Sequence, residues 1–213
     1  MKIILTGGSG FVGEGVMLAL LADNRVEQVL SISRRACGHT HPKLKELLVK
    51  DLMTLSQGDE RLKGYDALIY CAGISANGLN EQQYRPVTYD IPLHLAQILP
   101  NQGRTTLIYL SGAGADLNSK MMWARVKAQA EQAILSLPFQ HIYLLRPALM
   151  KPTKGQLHVK KLDRMYLTVY PLMRWLNLGN PLSEIGRALI NVIEQKYTKQ
   201  ILEPKDLRIL GNR

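Results

Sequence analysis

At 213 residues, with 46% hydrophobic and 21% charged side chains, the chain is long enough for a packed core and too apolar for a disordered segment. No run approaches the ~20 apolar residues of a membrane-spanning helix, and the apolar N-terminal run meets glycines too soon for a signal peptide. Two cysteines, Cys37 and Cys71, make neither a disulfide framework nor a metal-ligand spacing. These features predict a single domain over residues 1–213, in the cytoplasm. The formal net charge of +10 lies mostly late in the chain: residues 1–150 carry 15 basic and 12 acidic side chains, residues 151–213 carry 12 and 5. A phosphorylated small molecule, a membrane surface or a nucleic acid could each use that charge, as could water alone. Aromatic residues at 6% argue against a nucleic-acid surface, which uses interleaved rings.

Short β-branched runs alternate with longer helical stretches, the pattern of an α/β fold with a doubly wound parallel sheet of Rossmann type. In chain order, Lys2–Thr6 reads as a strand, residues 7–13 as a turn and Phe11–Ala22 as a helix. Residues 26–33, 47–50 and 66–71 read as the next three strands. A helix over 81–99 carries Pro86 and Pro92, which predict breaks or a bend. Residues 105–111 read as the fifth strand, 121–137 as a helix stopped by Pro138, and 141–146 as the sixth strand, closed by Pro147. Two helical stretches, 162–176 and 183–195, form a short C-terminal extension, with Ser183 as the expected N-cap.

The strongest local signal is Thr6-Gly7-Gly8-Ser9-Gly10-Phe11-Val12-Gly13. Gly8, Gly10 and Gly13 match G-x-G-x-x-G, while Gly7, Gly10 and Gly13 match G-x-x-G-x-x-G, and spacing alone leaves both open. Either pattern, following a strand and opening a helix, suits a dinucleotide. Glycines permit the sharp turn, the close approach of backbone to pyrophosphate and the tight packing of helix on strand. The helix start adds free N–H groups and a positive dipole end.

After the second strand, NAD binders usually place an acid for the ribose 2′-hydroxyl. Here the segment is Ser33-Arg34-Arg35, and guanidiniums suit a 2′-phosphate. The expected cofactor is therefore NADP(H) rather than NAD(H). Asp51 and Leu52 are candidates for the adenine pocket, Asp51 being equally suited to an N-cap. Cys71, Ala72 and Gly73 supply small residues where backbone must come near the cofactor.

These motifs resemble the short-chain dehydrogenase/reductase superfamily, in its extended and atypical branches: NAD-dependent epimerase/dehydratase-like and NAD(P)H-binding proteins. The resemblance spans about 150 residues, from the glycine turn through Cys71-Ala72-Gly73 to Arg146-Pro147-Ala148. It includes Ser111-Gly112-Ala113-Gly114-Ala115-Asp116 and the helix Trp123-Ala124-Arg125-Val126-Lys127. It implies that Lys127 holds the nicotinamide ribose, that the Ser111 hydroxyl polarises the substrate oxygen, and that Pro147 and Ala148 lie along the nicotinamide. In active relatives a tyrosine four residues before the lysine moves the proton. Here that place holds Trp123, whose indole donates a hydrogen bond but does not ionise usefully. Tyr84, Tyr89, His94 and Tyr109 fall in regions near such a pocket, and the sequence does not choose among them.

The extension from residue 151 onward carries Lys151, Lys154, Lys160, Lys161 and Arg164. Its apolar positions 162, 165, 166, 169, 172, 173 and 176 make one helical face. Such a face suits an ordinary cover of the sheet, a lid, a homodimer contact or an anionic lipid surface. The reading that follows is an NADP(H)-dependent oxidoreductase or epimerase-like enzyme for a small carbonyl or alcohol substrate. The alternatives are a non-catalytic NADP(H) sensor and, behind it, an RNA-binding protein.

Overall fold

The computed structural model describes residues 1–159 and 168–213. The core is a seven-stranded sheet in the order β3-β2-β1-β4-β5-β6-β9, with every neighbouring pair parallel. Its strands are β1 (Lys2–Thr6), β2 (Gln28–Ser33), β3 (Leu44–Leu48), β4 (Ala67–Tyr70), β5 (Thr106–Leu110), β6 (His141–Leu145) and β9 (Ile201–Leu202). The order reverses beside β1, which puts a crevice at the carboxyl ends of β1 and β4, where open α/β sheets bind ligands. A separate pair, β7 (Leu149–Lys151) with β8 (Gly179–Pro181), is also parallel.

Alternation along the strands divides the core in two. Ile3 and Leu5 of β1 face the side covered by α1 (Phe11–Ala22) and α6 (Leu182–Gln195), where Val16, Met17, Ile185 and Leu189 are fully buried. Ile4 faces the other side, with Leu68 and Leu107, beneath α3 (Ile91–Ile98) and α4 (Met122–Leu135). Both faces being covered explains why the strands read as nearly continuous apolar runs.

The expected helix over 81–99 is three pieces: α2 (Glu81–Arg85), a π-helical turn (Pro86–Asp90) and α3. Pro92 has no N–H to give to the Thr88 carbonyl four residues back, and Ile91 N–H bonds instead to the Pro86 carbonyl, five residues back. Two carbonyls of this turn, Val87 and Thr88, take side-chain donors. Two buried tyrosines supply them: Tyr70 Oη donates to Val87 O at 2.7 Å and Tyr109 Oη to Thr88 O at 2.7 Å. The break in the helix is fastened to β4 and β5.

Other boundaries moved. The third strand sits at Leu44–Leu48 rather than 47–50, and the second starts at Gln28 rather than 26. Ser183 lies inside α6, whose N-cap is Pro181, so it is not the expected cap. Of the expected helix 162–176, residues 162–167 lie outside the described residues, as do Lys160 and Lys161. The described part is α5 (Tyr170–Trp175), opened by Pro171. The reading from sequence did not contain β7, β8, β9 or the final helix α7 (Pro204–Gly211).

Because Tyr109 is fully buried, Tyr109→Phe takes the side-chain donor from the Thr88 carbonyl in the core and is expected to cost about 1–3 kcal/mol of unfolding free energy. Urea unfolding measures this; an unchanged midpoint and slope would show that the turn does not lean on this bond.

Candidate functional site

The glycine turn is the most tightly built part of the site. Gly7 has φ +79°, in the left-handed region, and a Cβ there would lie 2.8 Å from the Cys71 carbonyl and the Ala72 nitrogen. A Cβ on Gly13 would lie 2.2 Å from the Gly7 oxygen. Gly10 is different: its nitrogen donates to Gly7 O at 2.9 Å, and as N-cap of α1 it has no side chain to occupy the orphan N–H groups. Gly8 packs sideways, its Cβ direction meeting Ser31 Oγ at 2.6 Å. Close contact with β4 and α1 thus falls on Gly7 and Gly13, which favours the G-x-x-G-x-x-G spacing. Thr6 Oγ1 accepts from Cys71 N (3.1 Å) and Ala72 N (3.2 Å), locking the ends of β1 and β4 together.

A cavity of about 840 Å³ opens over this turn, within the range of small-molecule and cofactor sites. Gly7, Ser9, Gly10, Phe11 and Val12 form one wall, and Ser33, Arg34, Arg35, Asp51 and Leu52 another. Cys71, Ala72 and Gly73 line its floor, and Lys127 stands at the far end. Arg34 and Arg35 are exposed, and neither guanidinium has an ion-pair partner among the described residues. Asp51 caps a 3-10 turn, accepting from Met53 N at 3.0 Å, while its neighbour Leu52 is buried. Burial pushes the Cys71 thiol up to about 12, which keeps it neutral and unreactive.

The structure does not bring all expected residues to the cavity. Gly8 and Gly13 lie beneath the turn as packing positions. The Ser111 hydroxyl is buried with no hydrogen-bond partner among the described residues and is not in the cavity wall. Pro147 and Ala148 are also outside the wall; the Pro147 carbonyl accepts from Ala113 N at 3.2 Å. Conversely, Lys50, Tyr70, Tyr84, Tyr109 and Leu157–Val159 line the cavity and were not among the expected cofactor contacts. Lys50, beside Asp51 at the end of the third strand, carried a readable signal in its position. Tyr84 and Tyr109 stand in regions that the sequence placed near such a pocket, whereas Tyr70 and the 157–159 segment carried no such signal, because distant chain brings them in.

Lys127 is held from behind. Its Nζ donates to Ser111 O at 2.8 Å and Leu110 O at 3.4 Å, and lies 6.0 Å from the Tyr109 ring centroid. Desolvation lowers its pKa to about 8, against an opposing pull from Glu131. One helical turn earlier, Trp123 is half-buried, lies outside the cavity wall and packs near Gly114. Tyr70 and Tyr109 spend their hydroxyl protons on the π-helical turn, and burial raises both pKa values. Burial likewise raises the pKa of Tyr84. Tyr89 packs under Arg85, and His94 bonds the Leu55 carbonyl; neither lines the cavity.

Two outcomes follow from this geometry. Gly13→Ala must push the turn away from α1, and is expected to destabilise the fold by about 1–3 kcal/mol, whereas Gly103→Ala, with open space around it, should cost little. Paired denaturation curves compare them; equal losses would contradict the contact. Lys127 should titrate near 8 in ¹⁵N-lysine NMR. Its depressed pKa makes the folded state bind fewer protons than the unfolded chain between about 8 and the ordinary lysine value, so this group's contribution to stability rises with pH across that window. A Lys127 titration at the ordinary lysine value would contradict its enclosure.

Comparison with known proteins agrees with this geometry. The sequence pattern of the NAD dependent epimerase/dehydratase family matches residues 3–116, more than half of the chain. Among curated relatives, Protein FMP52, mitochondrial, from Candida glabrata is 29% identical over 147 residues, covering 68% of this chain and 62% of its own length. Protein FMP52-1, mitochondrial, from Scheffersomyces stipitis is 25% identical over 208 residues, covering 93% and 91%. The fold is shared with UDP-glucuronic acid 4-epimerase from Bacillus cereus, solved with UDP-glucuronic acid and NAD (TM-score 0.68, 14% identity, 95% of this chain and 77% of that one). It is also shared with the PhqB reductase domain from Penicillium fellutanum (TM-score 0.69, 17% identity, 96% and 67%). The cytoplasmic location expected from composition does not stand, because these curated relatives are mitochondrial by name. Composition reports solubility and redox context, and neither reads a cellular address.

Proposed function

Because the chain belongs to the NAD dependent epimerase/dehydratase family, we propose that it is an NADP(H)-binding oxidoreductase or epimerase-like protein for a small carbonyl or alcohol substrate. One observation carries the choice of cofactor. The wall of the cavity beyond β2 holds two exposed guanidiniums, Arg34 and Arg35, without carboxylate partners among the described residues, where an NAD site would hold an acid. Solved proteins of the same fold carry NAD, so this preference is a property of this chain's own residues. In this reading residues 1–213 act as one dinucleotide-binding unit, with 151–213 on the substrate side.

The roles follow from position. Gly7, Ser9, Gly10, Phe11 and Val12 offer backbone and the α1 dipole to the diphosphate, with Gly8 and Gly13 shaping the turn from below. Arg34 and Arg35 hold the 2′-phosphate, Ser33 shapes their loop by donating its hydroxyl to the Arg35 carbonyl, and Asp51 and Leu52 flank the adenine. Cys71, Ala72 and Gly73 let the floor approach the cofactor, while Lys127 binds the nicotinamide ribose from the far end. Ser111 serves Lys127 through its backbone carbonyl rather than the substrate through its hydroxyl, and Pro147 and Ala148 support the loop behind it. When bound, the nicotinamide supplies hydride transfer.

Trp123 favours a second reading, an NADP(H) sensor without turnover, since no ionisable side chain stands one turn before Lys127. Titration of the purified protein with NADPH and NADH decides the cofactor. NADPH should bind more tightly, and Arg34→Ala should weaken NADPH about tenfold or more while leaving NADH nearly unchanged. Equal affinity for both nucleotides would overturn the NADP(H) assignment, and binding of neither would overturn the reading as a whole. Trp123→Tyr then separates enzyme from sensor: a gain in NADPH-dependent reduction of aldehydes marks an intact pocket lacking only its acid.

A further inference from the structure

Lys50 lines the cavity and has no role in the site as described so far. It stands just beyond β3, and the pairing of β3 with β2 decides what lies beside it. The two strands keep their parallel register to the end, with Ser33 opposite Leu48, and the Val49 N–H then donates to the Ser33 carbonyl at 3.0 Å. The next residues are Arg34 and Arg35 on the β2 side and Lys50 on the β3 side. Neighbouring strands run about 5 Å apart, so the two chain ends deliver three cations to one corner of the cavity.

That corner is unbalanced. All three side chains are exposed, and none makes a hydrogen bond or ion pair among the described residues. Asp51, the one carboxylate of the cavity wall among the described residues, makes no ion pair with them either. It caps the 3-10 turn, its Oδ1 accepting from Met53 N at 3.0 Å. Three cations against one carboxylate leave a surplus of two positive charges at this end, while Lys127 stands at the other. Like charges held this close repel one another, and a bound anion offsets that repulsion.

The size of the surplus selects the group that is bound. A phosphate monoester carries about 1.5 to 2 negative charges at neutral pH. A ribose 2′-hydroxyl is neutral and would leave the surplus unmatched. The diphosphate has its own partners in the glycine turn and the open start of α1. Arg34 and Arg35 alone, with Asp51 beside them, supply a single net positive charge. Lys50 supplies the second.

We propose that Lys50 is a specificity-determining residue of the cofactor site, whose ammonium joins Arg34 and Arg35 around the 2′-phosphate of NADP(H) and completes the charge match to a phosphate dianion. The inference rests on the nucleotide-binding reading above and adds to it a residue from the third strand. Because Lys50 is exposed, its replacement leaves the core untouched.

The test titrates the full chain with NADPH and NADH. Lys50→Gln should weaken NADPH about tenfold, as loss of one charge-assisted phosphate contact predicts, and leave NADH within about twofold. Lys50→Arg, which keeps the cation, should hold NADPH within about threefold of wild type. Lys45→Gln is the control: Lys45 is exposed on the same strand, outside the cavity wall and about 16 Å away along the chain. Removing that charge should leave both nucleotides within about twofold, since salt screens it at that distance. Unchanged NADPH binding by Lys50→Gln, an equal loss of NADH, an equal loss in Lys45→Gln or no rescue by arginine would each overturn the role of Lys50 while leaving the NADP(H) reading intact. Wild-type protein with equal affinity for the two nucleotides, or with none for either, would overturn that reading and this inference with it.

Discussion

The site depends on how closely α1 approaches the end of β1. The missing Cβ of Gly13 leaves room for the Gly7 carbonyl, and a methyl group there would overlap that oxygen at 2.2 Å. This contact sets the direction in which α1 leaves the strand, and hence where its open N–H groups point. Gly7 in turn needs a left-handed backbone to pass under Cys71 and Ala72. Thr6 then ties β1 to β4 through its hydroxyl. Three neighbouring elements are brought together at the sheet's switch point by two glycines and one threonine.

A second constraint works at the other end of the cavity. Pro92 withdraws a backbone donor, the helix over 81–98 passes through a π-helical turn, and Tyr70 and Tyr109 donate to the Val87 and Thr88 carbonyls of that turn. The same tyrosines line the cavity, so these bonds commit their protons and leave them poor candidates for acid–base work. Lys127, pressed between the β5 carbonyls and the Tyr109 ring, is a cation held close to neutrality by its surroundings. Where the resemblance to short-chain dehydrogenases/reductases implies a phenol beside such a lysine, this chain has the indole of Trp123, outside the cavity wall.

Local patterns in the sequence predicted the fold well, because strands buried on both faces and glycines opening a helix are local signals. Lys2–Thr6 and Phe11–Ala22 were legible to the residue, as were the glycine turn and the acid-free end of the second strand. Less was legible wherever the determining partner is distant in sequence. The third strand slipped because its pairing with β2, and not its own composition, fixes its start at Leu44. Ser111 looked like a hydroxyl donor from its motif, yet its carbonyl is the group that meets Lys127. Lys50 had a local cue in its place beside Asp51, and Glu14 had another, an acid on an apolar helix face. The partners of Glu14, His39 and the backbone of His158, lie 25 and 144 residues away.

Hydrogen exchange with and without NADPH tests the central claim, that this cavity is a dinucleotide site built on the glycine turn. The account predicts slowed exchange at residues 9–14, at 33–35 and at 157–158, with the surface around Trp175 unchanged. Slowing confined to the surface around Trp175, or none at the glycine turn despite measurable binding, would place the nucleotide elsewhere and contradict it.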